Sequence, residues 1–166
     1  MKMQLFVGII LSTFCLFSCE QENTQALKAA DADLKGTVIK YGTSFGMCLG
    51  PCKKEMTLMN DEAAFTIFYN EGRGVTGGEP KTYTEKLSAD YIASITKNVD
   101  FETFKKLDEV IGCPDCADGG AEWVEIIKND SRHKVTFEYE HDVKEIAPLL
   151  KLLREKKQYF EEKYAK

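Results

Sequence analysis

Four cysteines in two close pairs are the residues of this chain with the clearest chemical potential. Three residues separate Cys48 from Cys52, and two residues separate Cys113 from Cys116. Pro, Gly and Asp lie between the partners and favour the tight turns that local disulfides need. Four cysteines also allow cross-pairing between the two loops, a four-thiolate metal site, or reduced and redox-active thiols. The spacing favours two local structural disulfides and leaves the other states open.

The residues that follow each pair bear on the redox interpretation. In thioredoxin-like reductants, two residues separate the cysteines and the pair opens a helix, whose N-terminus stabilises the thiolate. Here Met56-Thr57-Leu58-Met59 indicates a strand after Cys52, and the second pair leads to Gly119-Gly120 and another predicted strand. Because neither pair opens a predicted helix, we prefer a structural role for both. Thiol-disulfide exchange or metal handling by Cys48/Cys52 and Cys113/Cys116 is the alternative.

Three acidic residues near the second pair are candidates for a metal site. Asp115, Asp118 and Glu122 surround Gly119-Gly120 and could gather around a calcium ion. Calcium takes about six to eight oxygen ligands, and this run lacks the regular alternation of a dedicated calcium loop. We therefore interpret it as a solvated turn tied by a disulfide and predict no cofactor.

The chain has no recognisable set of catalytic residues. His133 and His141, which we expect to be exposed, have no Ser or Cys nucleophile beside them, and neither HExxH nor GxSxG occurs. Residues Gly72 to Gly77 match GxGxxG, but Glu79-Pro80 and a strand-like segment follow where a dinucleotide site requires a helix. We assign no catalytic residue, interpret the glycine run as a hairpin loop, and predict a protein that is not an enzyme and binds no nucleotide.

The N-terminus predicts where the protein is found. Lys2 precedes an apolar run from Leu5 to Phe17, and Leu16-Phe17-Ser18-Cys19 resembles the bacterial lipobox. The run is shorter than the roughly 20 residues that span a bilayer, so it is typical of a signal peptide. We expect cleavage before Cys19, diacylglycerol on its thiol, and attachment to the membrane through N-terminal acyl chains.

Three segments follow from this interpretation. Residues 1–18 are the signal peptide, 19–33 the lipidated Cys with a flexible polar tether, and 34–166 a single domain long enough to bury a core. Position 20 is Glu rather than Asp, so the simplest inner-membrane retention signal is absent. We expect a place in the bacterial cell envelope at the outer membrane, on its periplasmic face or at the cell surface.

The charge of the chain excludes one class of partner. It has 22 Lys and Arg residues against 27 Asp and Glu, and residues 1–18 contain one Lys and no acid. The mature chain is therefore more acidic by one charge than the full chain. A nucleic-acid-binding protein needs a basic face that displaces counterions from phosphate, so we predict no nucleic-acid partner.

Hydrophobic spacing indicates the elements that position these loops. Strand-like segments are predicted at Val38–Tyr41, Met56–Met59, Ala64–Tyr69, Lys81–Leu87, Glu122–Lys128 and Lys134–Glu140, with a glycine-punctuated connection from Gly42 to Cys52. Helices are predicted at Ala89–Lys97 with Ser88 as N-cap, at Phe101–Leu107 with Asp100 as N-cap, and at Ala147–Tyr164 with Pro148 in the first turn. The predicted fold is α+β, an antiparallel sheet with helices packed on one face and a long C-terminal helix.

Two motifs carry a resemblance to a known family. Tyr41 to Cys52 contains a CxGxC loop after the first predicted strand, and Cys113 to Trp123 reads CPDCADGGAEW. In both motifs, the chain resembles a family of uncharacterised small bacterial lipoproteins of the Bacteroidetes type. The resemblance covers roughly residues 35–160 and implies an extracytoplasmic α+β domain with no assigned activity or catalytic residue.

The expected function follows from the anchor, the paired cysteines and the lack of a catalytic set. We expect a membrane-anchored, non-enzymatic binding or interaction module of the cell envelope. Its expected partners are the membrane, through the acyl chains, and an envelope protein or a glycan.

Overall fold

The computed structural model describes residues 34–70 and 77–165. Cys19, its tether and most of the Gly72–Gly77 run lie outside the described residues. The strands are β1 (Thr37–Ser44), β2 (Gly50–Met59), β3 (Glu62–Asn70), β4 (Lys81–Lys86), β5 (Val110–Ile111), β6 (Ala121–Lys128) and β7 (Ser131–Glu138). The helices are α1 (Ala89–Asn98), α2 (Phe101–Phe104) and α3 (Ala147–Tyr164), and short 3-10 turns cover Cys116–Asp118 and Lys144–Ile146.

The strands form one seven-stranded sheet in the order β4-β3-β2-β1-β6-β7-β5. All neighbouring strands are antiparallel except β5, which pairs parallel with β7. With helices between and after the strands, the predicted α+β fold with a long C-terminal helix is confirmed. No helix among the described residues is long and apolar enough to cross a membrane.

Tight turns that contain Asn and Asp join two of the hairpins. Asn60 adopts φ 55° between β2 and β3, and Asn129 and Asp130 adopt φ 49° and 63° between β6 and β7. Asn and Asp tolerate this left-handed conformation better than other non-glycine residues. The turns therefore set the register Met59↔Glu62 and Lys128↔Ser131.

The helices cover one face of the sheet and bury a single core. Inward residues alternate along the central strands, so that Ile39 and Tyr41 of β1 lie opposite Leu58 and Met56 of β2. The buried residues that the helices add are Ile92, Ile95, Phe101, Phe104, Leu149, Leu150, Leu153 and Phe160. Such burial stabilises by about 25 cal/mol for each Å² of apolar surface removed from water.

The helix caps are those that the sequence predicts. The Ser88 hydroxyl accepts a hydrogen bond from the Tyr91 N–H at 3.3 Å, and an Asp100 carboxylate oxygen accepts one from the Thr103 N–H at 3.1 Å. Helix α2 ends at Phe104, earlier than predicted. There the Leu107 N–H bonds to the Phe104 carbonyl, which tightens the turn beyond the α-helical pattern.

Several strand bounds differ from the prediction: β1, β2 and β3 are longer, β7 runs from Ser131 to Glu138 rather than from Lys134 to Glu140, and β5 was missed. The connection expected from Gly42 to Cys52 is shorter, because β1 continues to Ser44 and β2 begins at Gly50. Ser44 pairs with Lys53, so the strands extend to the base of the cysteine loop. Strand β5 has only two residues, which are too few for a periodic pattern. It forms because its backbone pairs with the edge of β7.

Candidate functional site

Both cysteine loops lie at one end of the sheet, which we call the disulfide end (residues 45–52 and 112–120). Cys48 is bonded to Cys52, and Cys113 to Cys116, each with Cα atoms 5.5 Å apart. This is the local pairing that the spacing favoured over cross-pairing. Cys52 is buried in β2, whereas Cys113 and Cys116 are exposed. The first loop is therefore joined covalently to the core.

The two loops contact each other. The Gly46 N–H donates a hydrogen bond to Oδ1 of Asp115 at 3.2 Å, and the Phe45 ring also meets the ring of Tyr139, just after β7, edge to face at 4.9 Å. Gly120 has φ +85°, and a Cβ there would lie 2.4 Å from the Phe45 ring. Only glycine permits both this backbone conformation and this approach, so Gly120 sets the distance between the loops.

A buried carboxylate lies beneath the disulfide end. Glu122 on β6 is 1 % exposed. Arg154 of α3 bonds both of its oxygens, from Nε and Nη2, each at 2.9 Å. The Glu140 N–H donates to Oε2 at 3.0 Å, and the Tyr41 hydroxyl donates to Oε1. Each carboxylate oxygen therefore accepts two hydrogen bonds, as a charge buried in a protein requires.

The partners of Glu122 are held in one protonation state. The Glu122 hydrogen bonds raise the pKa of Arg154 above its ordinary value, and burial, followed by the Glu122 charge, raises the pKa of Tyr41. Arg154 also bonds Asp142 at 2.8 Å and the His141 carbonyl at 2.7 Å. This geometry positions α3 against β1 and β6, and the raised pKa values keep Arg154 charged and Tyr41 neutral near neutral pH.

A second carboxylate of α3, that of Glu161, forms ion pairs with two lysines. The ammonium groups of buried Lys157 and of Lys54 on β2 bond Oε1 of Glu161 at 2.9 and 2.7 Å. Burial alone would raise the pKa of Glu161, but the hydrogen bonds and charges of the two lysines outweigh it and lower the pKa.

A cleft of about 320 Å³ opens above these charged groups. It is lined by Tyr41, Glu122, Tyr139, Glu140, Arg154, Lys157, Gln158 and Glu161. Its volume is at the lower end of small-molecule sites. Its principal charges, however, already bond one another, and a charged ligand would have to compete with these ion pairs.

The candidate metal ligands do not come together. Asp115 bonds the Gly46 N–H at the surface, Asp118 is exposed with φ 61°, and Glu122 points into the core toward Arg154. In the part of the chain that the structure describes, no group of three or more His, Cys, Asp and Glu residues is placed to hold a metal ion. The histidines are also apart: His141 is exposed, whereas His133, expected to be exposed, is half-buried and bonds the Leu107 carbonyl through Nε2 at 2.9 Å.

The Glu122–Arg154 pair was not predicted from the sequence, although the sequence contains a signal for it. Side chains alternate between the two faces of a strand, so Glu122 lies on the same face of β6 as Val124 and Ile126, which point into the core. Arg154 directly follows Leu153 within the apolar stripe of the C-terminal helix. An acid and a base at inward positions of two elements indicate a buried pair.

Two apolar side chains project from the first loop. Met47 is 73 % exposed and Leu49 is 52 % exposed, on either side of Cys48. A solitary exposed hydrophobic residue is ordinary on a protein surface. Two of them on one short disulfide-closed loop make this loop the most distinctive surface of the disulfide end.

The fold and the disulfide end define a class: an α+β domain whose sheet carries two disulfide-closed loops over a buried ion-pair network. The sequence matches no protein-family model and no curated protein. The role of the domain must therefore be inferred from the surface that its disulfide end presents.

Proposed function

We propose that the mature protein is a membrane-anchored lipoprotein of the bacterial cell envelope that acts as a non-enzymatic binding module. The observation that carries the proposal is the disulfide end itself, where two closed loops contact each other and hold Met47 and Leu49 in solvent. Binding residues commonly lie on loops positioned by a rigid scaffold. A loop ordered before binding loses less conformational entropy when a partner binds.

The anchor supports an envelope location. Leu16-Phe17-Ser18-Cys19 carries the lipobox pattern, and acyl chains on Cys19 would tether the domain at the outer membrane, on its periplasmic face or at the cell surface. The described chain starts at the opposite end of β1 from the cysteine loops, where the Leu34 N–H bonds the Asn60 carbonyl. At about 3.4 Å per residue, β1 separates the two ends by about 24 Å. An envelope protein or a glycan can thus reach the disulfide end.

The paired charges support a non-enzymatic role. Glu122, Arg154 and Glu161 are all engaged in hydrogen bonds within the protein. A catalytic acid or base needs a pKa near the working pH. The pKa of Arg154 and the pKa of Tyr41 are both raised, which moves them further from neutral pH.

Thiol-disulfide exchange is the second candidate function, because Cys113 and Cys116 are exposed and have the spacing of redox motifs. Two features disfavour it. The pair leads into a 3-10 turn with Asp115 and Ala117 in the left-handed region, so it does not open a regular helix. The Cys113 N–H also bonds the Glu138 carboxylate at 2.8 Å, and a nearby negative charge destabilises a thiolate.

Mass spectrometry of the full-length protein, expressed in a bacterium and extracted in detergent, tests the anchor. The expected N-terminal peptide begins at Cys19 and carries diacylglycerol. An unmodified N-terminus at another residue contradicts the lipoprotein assignment.

An exchange assay separates binding from redox chemistry. We expect the detergent-solubilised protein to reduce insulin, or to exchange with a glutathione couple, no faster than a thiol-free control. We expect the Cys113→Ser/Cys116→Ser variant to differ from it only by a lower Tm. If the unaltered protein is active and that variant loses activity at unchanged stability, the redox function replaces the binding function.

A further inference from the structure

We infer that Met47 and Leu49 are the contact site for a second protein of the cell envelope, one with an apolar pocket bordered by Lys and Arg. This inference rests on the proposed binding function, and it names the surface and the class of partner.

The first observation is how these side chains are held out in solvent. Met47 and Leu49 flank Cys48, whose disulfide partner Cys52 is buried in β2. The Phe45 N–H also bonds the Cys52 carbonyl at 3.1 Å, which continues the β1–β2 ladder to the base of the loop. The loop is closed by a covalent bond and by a backbone hydrogen bond, so the two apolar side chains cannot readily fold back onto the core.

The second observation is that the neighbouring loop supports the first. Asp115 accepts the hydrogen bond from Gly46, directly before Met47, and its own N–H donates to the Gly120 carbonyl at 2.9 Å. A partner would meet a surface that is already ordered. Met is flexible and adapts to irregular pockets, and Leu supplies a shaped apolar surface, which suits insertion into a pocket.

The third observation is the charge around the loop. The charged residues of the disulfide end are the exposed Asp115 and Asp118, and its two loops contain no Lys or Arg. Lys53 follows Cys52 directly, and its ammonium lies over the Phe68 ring at 4.5 Å. Surfaces that associate are complementary in charge, so the pocket of the partner should carry Lys and Arg at its rim. The same carboxylates disfavour an anionic lipid surface as the occupant.

The test is photo-crosslinking in the bacterium that encodes the protein, with the full-length lipoprotein. A benzophenone amino acid replaces Met47 or Leu49 at the disulfide end. Met59 is the matched control, since it is also an exposed methionine (49 %) but lies at the opposite end of the sheet. Position 158, at the rim of the cleft, samples a different surface.

We expect positions 47 and 49, and not 59, to give a discrete adduct with one protein, which peptide mass spectrometry identifies. That protein is then purified and titrated calorimetrically against the detergent-solubilised lipoprotein. Met47→Ser/Leu49→Ser should weaken binding by about tenfold or more, and Met59→Ser by less than about twofold. Added salt should also weaken binding, because part of the attraction is between exposed charges.

The other outcomes overturn the inference in distinguishable ways. Adducts from position 158 alone would agree with the proposed binding function but would show that Met47 and Leu49 are not the contact site. Adducts with phospholipid or with a second copy of the chain replace the partner class. No adduct from any of the four positions rejects the binding function as well. If the Tm shows that the double variant does not fold, the single Met47→Ser variant is titrated instead. An unchanged affinity of that variant for the identified protein overturns the inference.

Discussion

Glu122 and Arg154 show how single residues attach the C-terminal helix to the sheet. Moving both charges out of water is unfavourable, and their mutual hydrogen bonds offset that loss. The guanidinium bonds both carboxylate oxygens, which adds direction to the charge attraction. Loss of Arg154 leaves the buried Glu122 carboxylate with hydrogen bonds from Tyr41 and Glu140 but with no opposite charge.

We predict that Arg154→Ala lowers the free energy of unfolding by about 3 kcal/mol, because it leaves the Glu122 carboxylate buried and unpaired. Urea unfolding of the full chain in detergent measures the loss. Asp142→Asn is the matched control, because it removes only the exposed arm of the same network and should change stability by less than about 0.5 kcal/mol. Equal losses in the two variants would show that the buried pair has no special role.

Gly42 is required by the ring of Trp123, the single tryptophan of the chain. The two residues are neighbours on β1 and β6, on the face of the sheet away from the helices. Trp123 is buried there, with the ammonium groups of Lys134 and Lys53 at 5.0 and 5.6 Å from its ring. A Cβ on Gly42 would lie 2.2 Å from Cζ2 of the indole and 2.7 Å from the Lys54 carbonyl oxygen.

We predict that Gly42→Ala destabilises the protein by about 2 kcal/mol, because the ring or the strand must shift. Tryptophan fluorescence reports on this site alone, and we expect a red-shifted emission as the ring becomes exposed. Gly78→Ala is the control, since its Cβ would meet Tyr69 at an ordinary 3.4 Å. An unchanged emission spectrum and Tm in Gly42→Ala would contradict the packing described here.

At the scale of elements, the end of α3 is fastened to the edge strand β4 by one carboxylate. Glu85 accepts hydrogen bonds from Lys163 and Tyr164, both at 2.7 Å, and from Tyr159 at 3.1 Å. The Tyr83 and Tyr164 rings stack at 4.3 Å beside it. These bonds, that of Lys163 first, lower the pKa of Glu85 from its ordinary 4.5 to about 2.

We predict that Glu85→Gln removes a stabilisation of about 1 kcal/mol that depends on pH. Because folding lowers this pKa, the unfolded chain binds more protons than the folded one between pH 4.5 and about 2. The difference between unaltered protein and variant should be complete above pH 4.5 and vanish as the pH falls to about 2. Urea titrations across that range measure it, with exposed Glu102→Gln as the control. A difference that does not change with pH would contradict the assignment.

At the scale of the whole molecule, the disulfides are concentrated at one end of the sheet, and Leu34, the first described residue, lies at the other. Each disulfide closes only a few residues, with sequence separations of 4 and 3. Such small loops restrict the unfolded chain modestly, so the core supplies most of the stability. The disulfides chiefly order the surface that the loops present.

We predict that peptide mapping of the native, alkylated protein shows Cys48–Cys52 and Cys113–Cys116 pairs and no free thiol among these four. Removing either bridge by a Cys→Ser pair should lower the free energy of unfolding by about 2 kcal/mol, as loop-closure entropy gives for loops of this size. Cross-linked peptides between the loops, or bound zinc in place of disulfides, would contradict this pairing.

What the sequence alone determined is mostly local. The bounds of the C-terminal helix are as predicted, and Ser88 and Asp100 cap their helices where expected. These features depend on contacts between residues a few positions apart, which are readable from spacing and side-chain chemistry. The signal peptide and lipobox are also local patterns, and they remain predictions because Cys19 lies outside the described residues.

Only the tertiary structure decided which distant residues meet. Tyr41 and Arg154 lie 81 and 32 positions from Glu122, and they converge on it because β1 and β6 are neighbours in the sheet and α3 crosses that end. The proximity of the two cysteine loops depends on the same strand order. No local pattern encodes that order, because the free energy that selects it comes from burying one core shared by all the elements.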